Sequence, residues 1–287
     1  MRHLTFDVPT PEIHLYPVAD VQVGASGVAK KFFREYIEEA LEDPLARFIG
    51  GGDYTDGISP SNRRTLNVAY ETGGLYETPR EMLDAASREQ VAEFLDLVRG
   101  TEGLWDALMK GHHLHEYIVR NADGTKTIRT SDHDIADALG APYLGEPGQT
   151  IGSAMLSYRF PAQKKGQPRP VLRVYTVHGQ GGGGTFSGPL NQLEKMMRAF
   201  EAHVYLVGHH HKSVAAAATK LHEAAGEETS LTATDARLVS TGSWLRGYMP
   251  NEVSYAEDGL LVPLAVGAPY VMVKSLPKRE FRIRAVV

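Results

Sequence analysis

Three observations in the sequence predict an α/β fold. Five apolar runs each stop abruptly at an Asp or a His, amphipathic segments separate most of them, and the loops that follow share the same polar chemistry. Strands alternating with helices build a sheet whose strand ends gather along one edge, and ligands of such sheets bind outside the carboxyl ends of the strands.

The elements follow in order. The stretch "EIHLYPVAD" is an apolar run that ends at Asp20, as expected of a buried strand entering a loop. Helical spacing over residues 29–41 places Phe32, Phe33, Tyr36, Ile37, Ala40 and Leu41 at i, i+3 and i+4 intervals. "LARFIGGGD" is a second strand, stopped by glycines and Asp53. Residues 80–99 are predicted to form an amphipathic helix, "LWDALMKGHH" a third strand, and 132–139 a short helix. "VLRVYTVHG" and "HVYLVGHHH" are two more strands, with a helix near 190–200 between them.

Beyond Ser213 the chain changes character. "AAAATK", residues 215–220, reads as helix or loop filler, and turn-punctuated strands from 230 to 286 are expected to extend or cover the sheet. The apolar run 260–273 is broken by Pro263, Gly267 and Pro269; it is too short to span a bilayer and reads as a buried strand region.

Totals bound the function. A chain of 287 residues suits one large domain or two small ones; the organisation expected is one domain over 1–287, with motif blocks in 17–212 and a strand-rich extension over about 229–287. The formal net charge of -5, with no lysine or arginine block, argues against a grip on duplex nucleic acid. The absence of cysteine excludes disulfides and thiolate metal sites. Residues 1–11 are polar, without the apolar core of a secretory signal, so the expected compartment is the cytoplasm and no membrane partner is foreseen. Oligomeric state is not legible.

The five strand ends carry "ADVQVG" (Asp20, Gln22), "GGDYTDG" (Asp53, Asp56), "KGHHLHE" (His112, His113, His115), "VHGQGGGG" (His178) and "GHHHK" (His209, His210, His211). Carboxylate plus imidazole suits Mn²⁺, Fe or Zn²⁺ rather than an all-oxygen Ca²⁺ or Mg²⁺ cage. These ligands are too many for one ion, and a pair of ions sharing a bridging carboxylate would use them. Taken singly, each has an ordinary reading: a strand-end Asp caps a turn, the glycines at 50–52 form one, and a strand-end His is a satisfied core histidine. "GQGGGG" lacks the Lys-Ser/Thr ending of a phosphate loop and reads as an active-site rim.

In order, these blocks resemble the calcineurin-like metallophosphoesterases, whose pattern is D-x-H, GD-x-x-D, GNH-[DE], a lone H-G and GH-x-H. Four of the five blocks are present, over roughly two-thirds of the chain, and the later "STGSWLRGY" resembles tails of phage or prophage members. The resemblance implies a four-layer α-β-β-α sandwich and a dinuclear phosphoesterase. It places Asp20, Gln22, Asp53 and His211 on one metal and Asp53, His112, His178 and His209 on the other. His113 would be the general acid protonating the leaving oxygen, oriented by Asp56, while a metal-activated water attacks phosphorus. His115 is the alternative acid in a shifted register.

Two departures matter. Gln22 stands where the family has His, a neutral and weaker donor; this D-x-Q form is similar to a branch of manganese-dependent pyrophosphatases, which favours Mn²⁺ over Fe, Zn²⁺ or Ni²⁺. His112 replaces the family's Asn, so the second metal would carry three imidazoles. Arg63, after the second block, and His210, between two ligands, are the substrate-contact candidates, against plain solvated roles. The expected substrate is a phosphodiester, nucleotide or phosphomonoester; a nuclease for single-stranded or damaged nucleic acid, and a catalytically weak metal-binding scaffold, remain the competing readings.

Overall fold

The apolar runs become strands buried on both faces. In β2 (Glu12–Ala19), Ile13 and Leu15 face one way and Tyr16 and Val18 the other, all buried. The same alternation divides Leu172 and Val174 from Tyr175 and Val177 in β9 (Val171–Val177), and Val204 and Leu206 from Tyr205 and Val207 in β10 (Val204–Val207). Strands covered on both sides read as near-continuous hydrophobic sequence, which is why these runs were legible.

The computed structural model describes residues 2–58, 60–120, 123–146, 148–181, 185–223, 231–249 and 265–287. Two six-stranded mixed sheets form its centre. One has the order β1 (Arg2–Asp7), β8 (Ser153–Arg159), β9, β10, β12 (Leu231–Thr241), β11 (Ser213–Glu223). The other runs β14 (Phe281–Val286), β13 (Tyr270–Ser275), β2, β3 (Ala46–Gly52), β4 (Trp105–Met109), β7 (Tyr143–Leu144). A small ribbon, β5 (Glu116–Arg120) with β6 (Lys126–Thr130), stands apart from both.

Three apolar layers stack the molecule. Between the sheets lie Leu15, Ile49, Met109, Leu156, Val174 and Leu206. Outside the second sheet, α1 (Lys30–Glu42), α3 (Glu77–Leu97) and α4 (Ser131–Leu139) pack through Phe33, Ile37, Phe94 and Ile135. Outside the first sheet, α5 (Ser187–Ala199) packs through Leu193 onto Tyr205 and Leu238. The helix–sheet–sheet–helix sandwich is therefore the expected four-layer architecture. Among the described residues, no helix is long and apolar enough to cross a membrane.

Several elements differ from expectation. Residues 215–220 are neither helix nor filler: they lie in β11, paired antiparallel with β12 from Ser213↔Thr241 to Glu223↔Leu231. Alanine has little strand preference of its own, and the ladder overrides it. Helix α2 (Pro60–Glu71) replaces what read as a loop of arginines. The amphipathic helix expected over 80–99 begins earlier, at Glu77. The C-terminal strands do extend the sheets, β12 lying between β10 and β11 and β13 between β14 and β2. In the run 260–273, residues 260–264 lie outside the described residues, as do 182–184 of the "GQGGGG" rim; the described end of the run enters β13.

Candidate metal centre

β2, β3 and β4 are parallel neighbours in one sheet, β9 and β10 in the other. Their carboxyl ends meet at one edge of the sandwich, and this brings the five blocks together. The Asp20 N–H donates to the Gly52 carbonyl at 3.0 Å and the Gln22 N–H to the Asp53 carbonyl at 3.0 Å, stitching the first two blocks. The His113 N–H donates to Asp53 Oδ1 at 2.8 Å, adding the third. The His209 N–H donates to Asp20 Oδ2 at 2.8 Å, adding the fifth.

Glycines make room for this convergence. Gly52 has φ +97, and a Cβ there would lie 2.7 Å from both the Gly111 Cα and His178 Nδ1. More telling are the residues that are not glycine. Asp20 (φ 53), Gln22 (φ 50), Asp53 (φ 55), His209 (φ 69) and His211 (φ 53) all hold left-handed backbone. Such a conformation costs a non-glycine residue about 1–3 kcal/mol, and observed clusters of it mark sites where side-chain direction matters more than strain.

Asp53, His112, His178 and His209 each offer a ligand atom within 4.8 Å of the others. His112 Nδ1 lies 3.2 Å from His209 Nδ1, and His178 Nε2 lies 3.2 Å from Asp53 Oδ2. Beside this group, His211 Nε2 stands 3.3 Å from Asp20 Oδ1. Two ligand atoms that share a transition metal at about 2.1 Å are roughly 3.0–3.4 Å apart, so these spacings are those of ligands around an ion. Asp20 Oδ1, Asp53 Oδ2 and His178 Nε2 are buried without a hydrogen-bond partner, which is costly unless a cation occupies the space they face. His178 Nδ1–H donates to the Gly51 carbonyl at 2.7 Å, which fixes the tautomer with Nε2 free to ligate. The donor set and its orphaned atoms thus fit divalent metal.

Charge in the metal-free protein agrees. Burial would raise the Asp53 carboxyl, but the His178 imidazole beside it holds it well below the usual carboxylate range. Burial would likewise lower His178, yet facing Asp53 raises it to about 9. A proton on Nε2 therefore takes the position a cation would claim. Burial, with His178 and His209 close by, drives His112 down to about 4, so it stays a neutral donor near pH 7.

The remaining expected residues divide. His113 stands at the edge of the site, about a third exposed, its Nδ1–H donating to the Gly57 carbonyl at 3.2 Å with Asp56 Oδ1 at 3.5 Å. The hydrogen bond to Asp56 raises its pKa against the effect of burial. His115 points away: it is buried, and its Nε2 meets Asp84 Oδ1 at 2.6 Å. The shifted register therefore has no support in the geometry.

Arg63 and His210 are not where a substrate contact needs them. Arg63 is buried, and its Nη1 donates to the carbonyls of Ile58, of His112 at 2.7 Å and of Leu114 at 3.0 Å, with Glu116 at 3.6 Å from Nε. It clamps the loop that carries His112 and His113. His210 is buried too, its Nε2–H donating to Gln192 Oε1 at 2.5 Å on α5, rather than standing at a pocket rim. The sequence carried a signal for the clamp: Pro60 at a first helical position announces a helix start, and Arg63 then lies within its first turn instead of on a loop.

No protein-family model matches the chain. No curated protein matches it either. Among solved structures it is similar to YfkN, a calcineurin-like phosphoesterase from Bacillus subtilis, at 8% identity and a TM-score of 0.27, over 97% of this chain and 90% of that chain. A likeness that distant adds no weight to the geometry. What the fold and site define by themselves is an α/β sandwich carrying, at its strand ends, a group of Asp and His residues able to hold divalent metal.

Proposed function

We propose that this chain is a dinuclear metal-dependent phosphoesterase. The observation that carries the reading is the Asp53–His112–His178–His209 group with the Asp20–His211 pair beside it, of which Asp20, Asp53, His209 and His211 are aimed by left-handed backbone. Asp53, His112, His178 and His209 would hold one divalent cation, and Asp20, Gln22, His211 and a shared Asp53 the other. When bound, such a pair supplies Lewis acidity toward a phosphoryl oxygen and a water acidified toward neutrality; Mn²⁺ is the ion we favour.

The protein's own residues do the rest. With Nδ1–H held on Gly57 and Asp56 alongside, His113 keeps its Nε2 proton for the leaving oxygen as the phosphorus–oxygen bond breaks. Asp56 favours the charged ring and so keeps the acid loaded. Arg63 fixes the loop on which that acid rides. The substrate we favour is a nucleotide or small phosphodiester, because a chain of net charge -5 is poorly suited to gripping long duplex.

The reading is tested by calorimetric titration of Mn²⁺ into metal-free protein, followed by hydrolysis of bis-p-nitrophenyl phosphate, a monoester and a nucleotide pyrophosphate. Two ions and turnover of at least one substrate are expected. Two bound ions with no turnover of any of them would refute the enzyme and leave a metal-binding scaffold.

A further inference from the structure

The segment that follows β12 runs back over the first block. Ser243 is fully buried, and its Oγ–H donates to the Asp20 carbonyl at 3.1 Å. A carbonyl oxygen can only accept, so the hydroxyl is the donor; its oxygen in turn accepts the Leu245 N–H at 3.1 Å. The Trp244 N–H donates to the same Asp20 carbonyl at 3.2 Å. On its other side Asp20 is tied through its N–H to Gly52. Both peptide groups flanking its left-handed Cα are therefore held.

The path of this segment is itself constrained. Gly242 has φ +75, and a Cβ there would lie 2.0 Å from the Gly267 carbonyl oxygen. The Gly267 N–H donates to the Ser243 carbonyl at 3.0 Å. The Ala29 N–H donates to Trp244 O at 2.7 Å, and the Arg246 N–H to Gly27 O at 2.8 Å. The turn is thereby bolted to the loop between β2 and α1, and Trp244 packs on Phe33 and Tyr36.

We propose that Ser243 is a positioning residue for the metal centre, holding Asp20 in the left-handed conformation that aims Oδ1 at the metal beside His211. This rests on the reading of Asp20 as a metal ligand. A carbonyl has two lone pairs, and Trp244 keeps one of them occupied. Removing the Ser243 hydroxyl therefore loosens the ligand and frees the half-buried Leu245 N–H, while the Trp244, Ala29, Arg246 and Gly267 backbone bonds still hold the path of the segment. A residue that only supported the fold would behave in the opposite way.

The test is a Mn²⁺ titration of Ser243→Ala, with Ser240→Ala as the control. Ser240 loses a buried hydroxyl from the same strand end, but one without a hydrogen-bond partner. Disturbing an outer partner of a metal ligand lowers affinity roughly 10- to 100-fold. That loss is expected in one of the two Mn²⁺ steps of Ser243→Ala, with the other step as in wild type and the melting temperature in EDTA lowered by no more than about 2–3 °C, the effect of the freed Leu245 N–H. Ser240→Ala should titrate like wild type. Wild-type affinity at both steps in Ser243→Ala would overturn the proposal, and so would loss of both steps with a lowered melting temperature, which would assign Ser243 to the fold. Wild-type protein that takes up no Mn²⁺ would overturn the metal reading itself, a result distinguishable from either.

Discussion

Replacing Arg63 by Met separates a loop clamp from a substrate contact. Methionine keeps much of the apolar stem and removes every donor. Three carbonyls, those of Ile58, His112 and Leu114, then lose their guanidinium partner, and Glu116 loses a cation 3.6 Å away. An unsatisfied buried acceptor costs about 1–3 kcal/mol. Leu114 is fully buried, whereas Ile58 and His112 are partly exposed and can recruit water, so a total near 3 kcal/mol is expected rather than the full sum. For a chain of this size each kcal/mol moves the melting temperature by about 2 °C, which gives a fall of roughly 6 °C. Differential scanning calorimetry in EDTA measures that fall without interference from metal. Hydrolysis at saturating Mn²⁺ should then show a lowered kcat, because His113 rides on the released loop, with KM little changed. A melting temperature within about 1 °C of wild type, together with a raised KM, would refute the clamp and restore Arg63 as a substrate contact.

Other expectations follow from the same geometry. His113→Gln should lower kcat by roughly 10²–10⁴-fold on an alkyl phosphodiester but far less on an aryl one, whose leaving group needs no proton; His115→Gln should leave that contrast intact. His209→Ala and His211→Ala should each abolish one Mn²⁺ step in calorimetry, whereas His210→Ala should retain both and lose only the stability contributed by its bond to Gln192. Stability should also depend on His203, whose pKa burial depresses to about 4 and whose Nδ1 accepts the Arg173 N–H at 3.0 Å. Because the folded value lies below the unfolded one, near 6.5, this contribution is complete above pH 6.5 and is lost as pH falls toward 4, by about 3 kcal/mol at most. Urea unfolding at pH 7 and pH 4.5 should show that loss shrinking in His203→Gln, and an unchanged pH difference would refute it.

What could be read from the sequence was whatever its own neighbours determine. Phe33, Tyr36, Ile37 and Ala40 recur at helical intervals because one face of α1 must be buried. The runs before Asp20, Asp53 and His178 are mostly apolar because both faces of their strands are largely covered. Hidden were the features set by distant partners. The alanines of β11 become a strand through their ladder to β12. Strand β1 carries only Leu4 and Phe6 as alternating signals and is completed by β8, some 150 residues later. Arg63 faces carbonyls about fifty residues away. Of the ligand set, the spacing in "GHHHK" separated His209 and His211 from His210, since alternate residues share a side. It could not reveal that His210 is turned to Gln192 on α5.

The contact between Ser243 and Asp20 joins residues 223 positions apart, and that separation sets a clock on the newborn chain. Ribosomes add about 5–20 residues per second, so Asp20 waits on the order of 10–45 s after its own synthesis before Ser243 exists to hold it. For most of that interval β2 has β3 beside it but not β13, and β10 and β12 have not yet been made. A nascent chain can assemble helix α1 and the β2–β3 pair early, yet the Asp20 carbonyl gains its Ser243 and Trp244 donors only near the end of synthesis. Cation that arrived sooner would meet an Asp20 whose carbonyl side is not yet held.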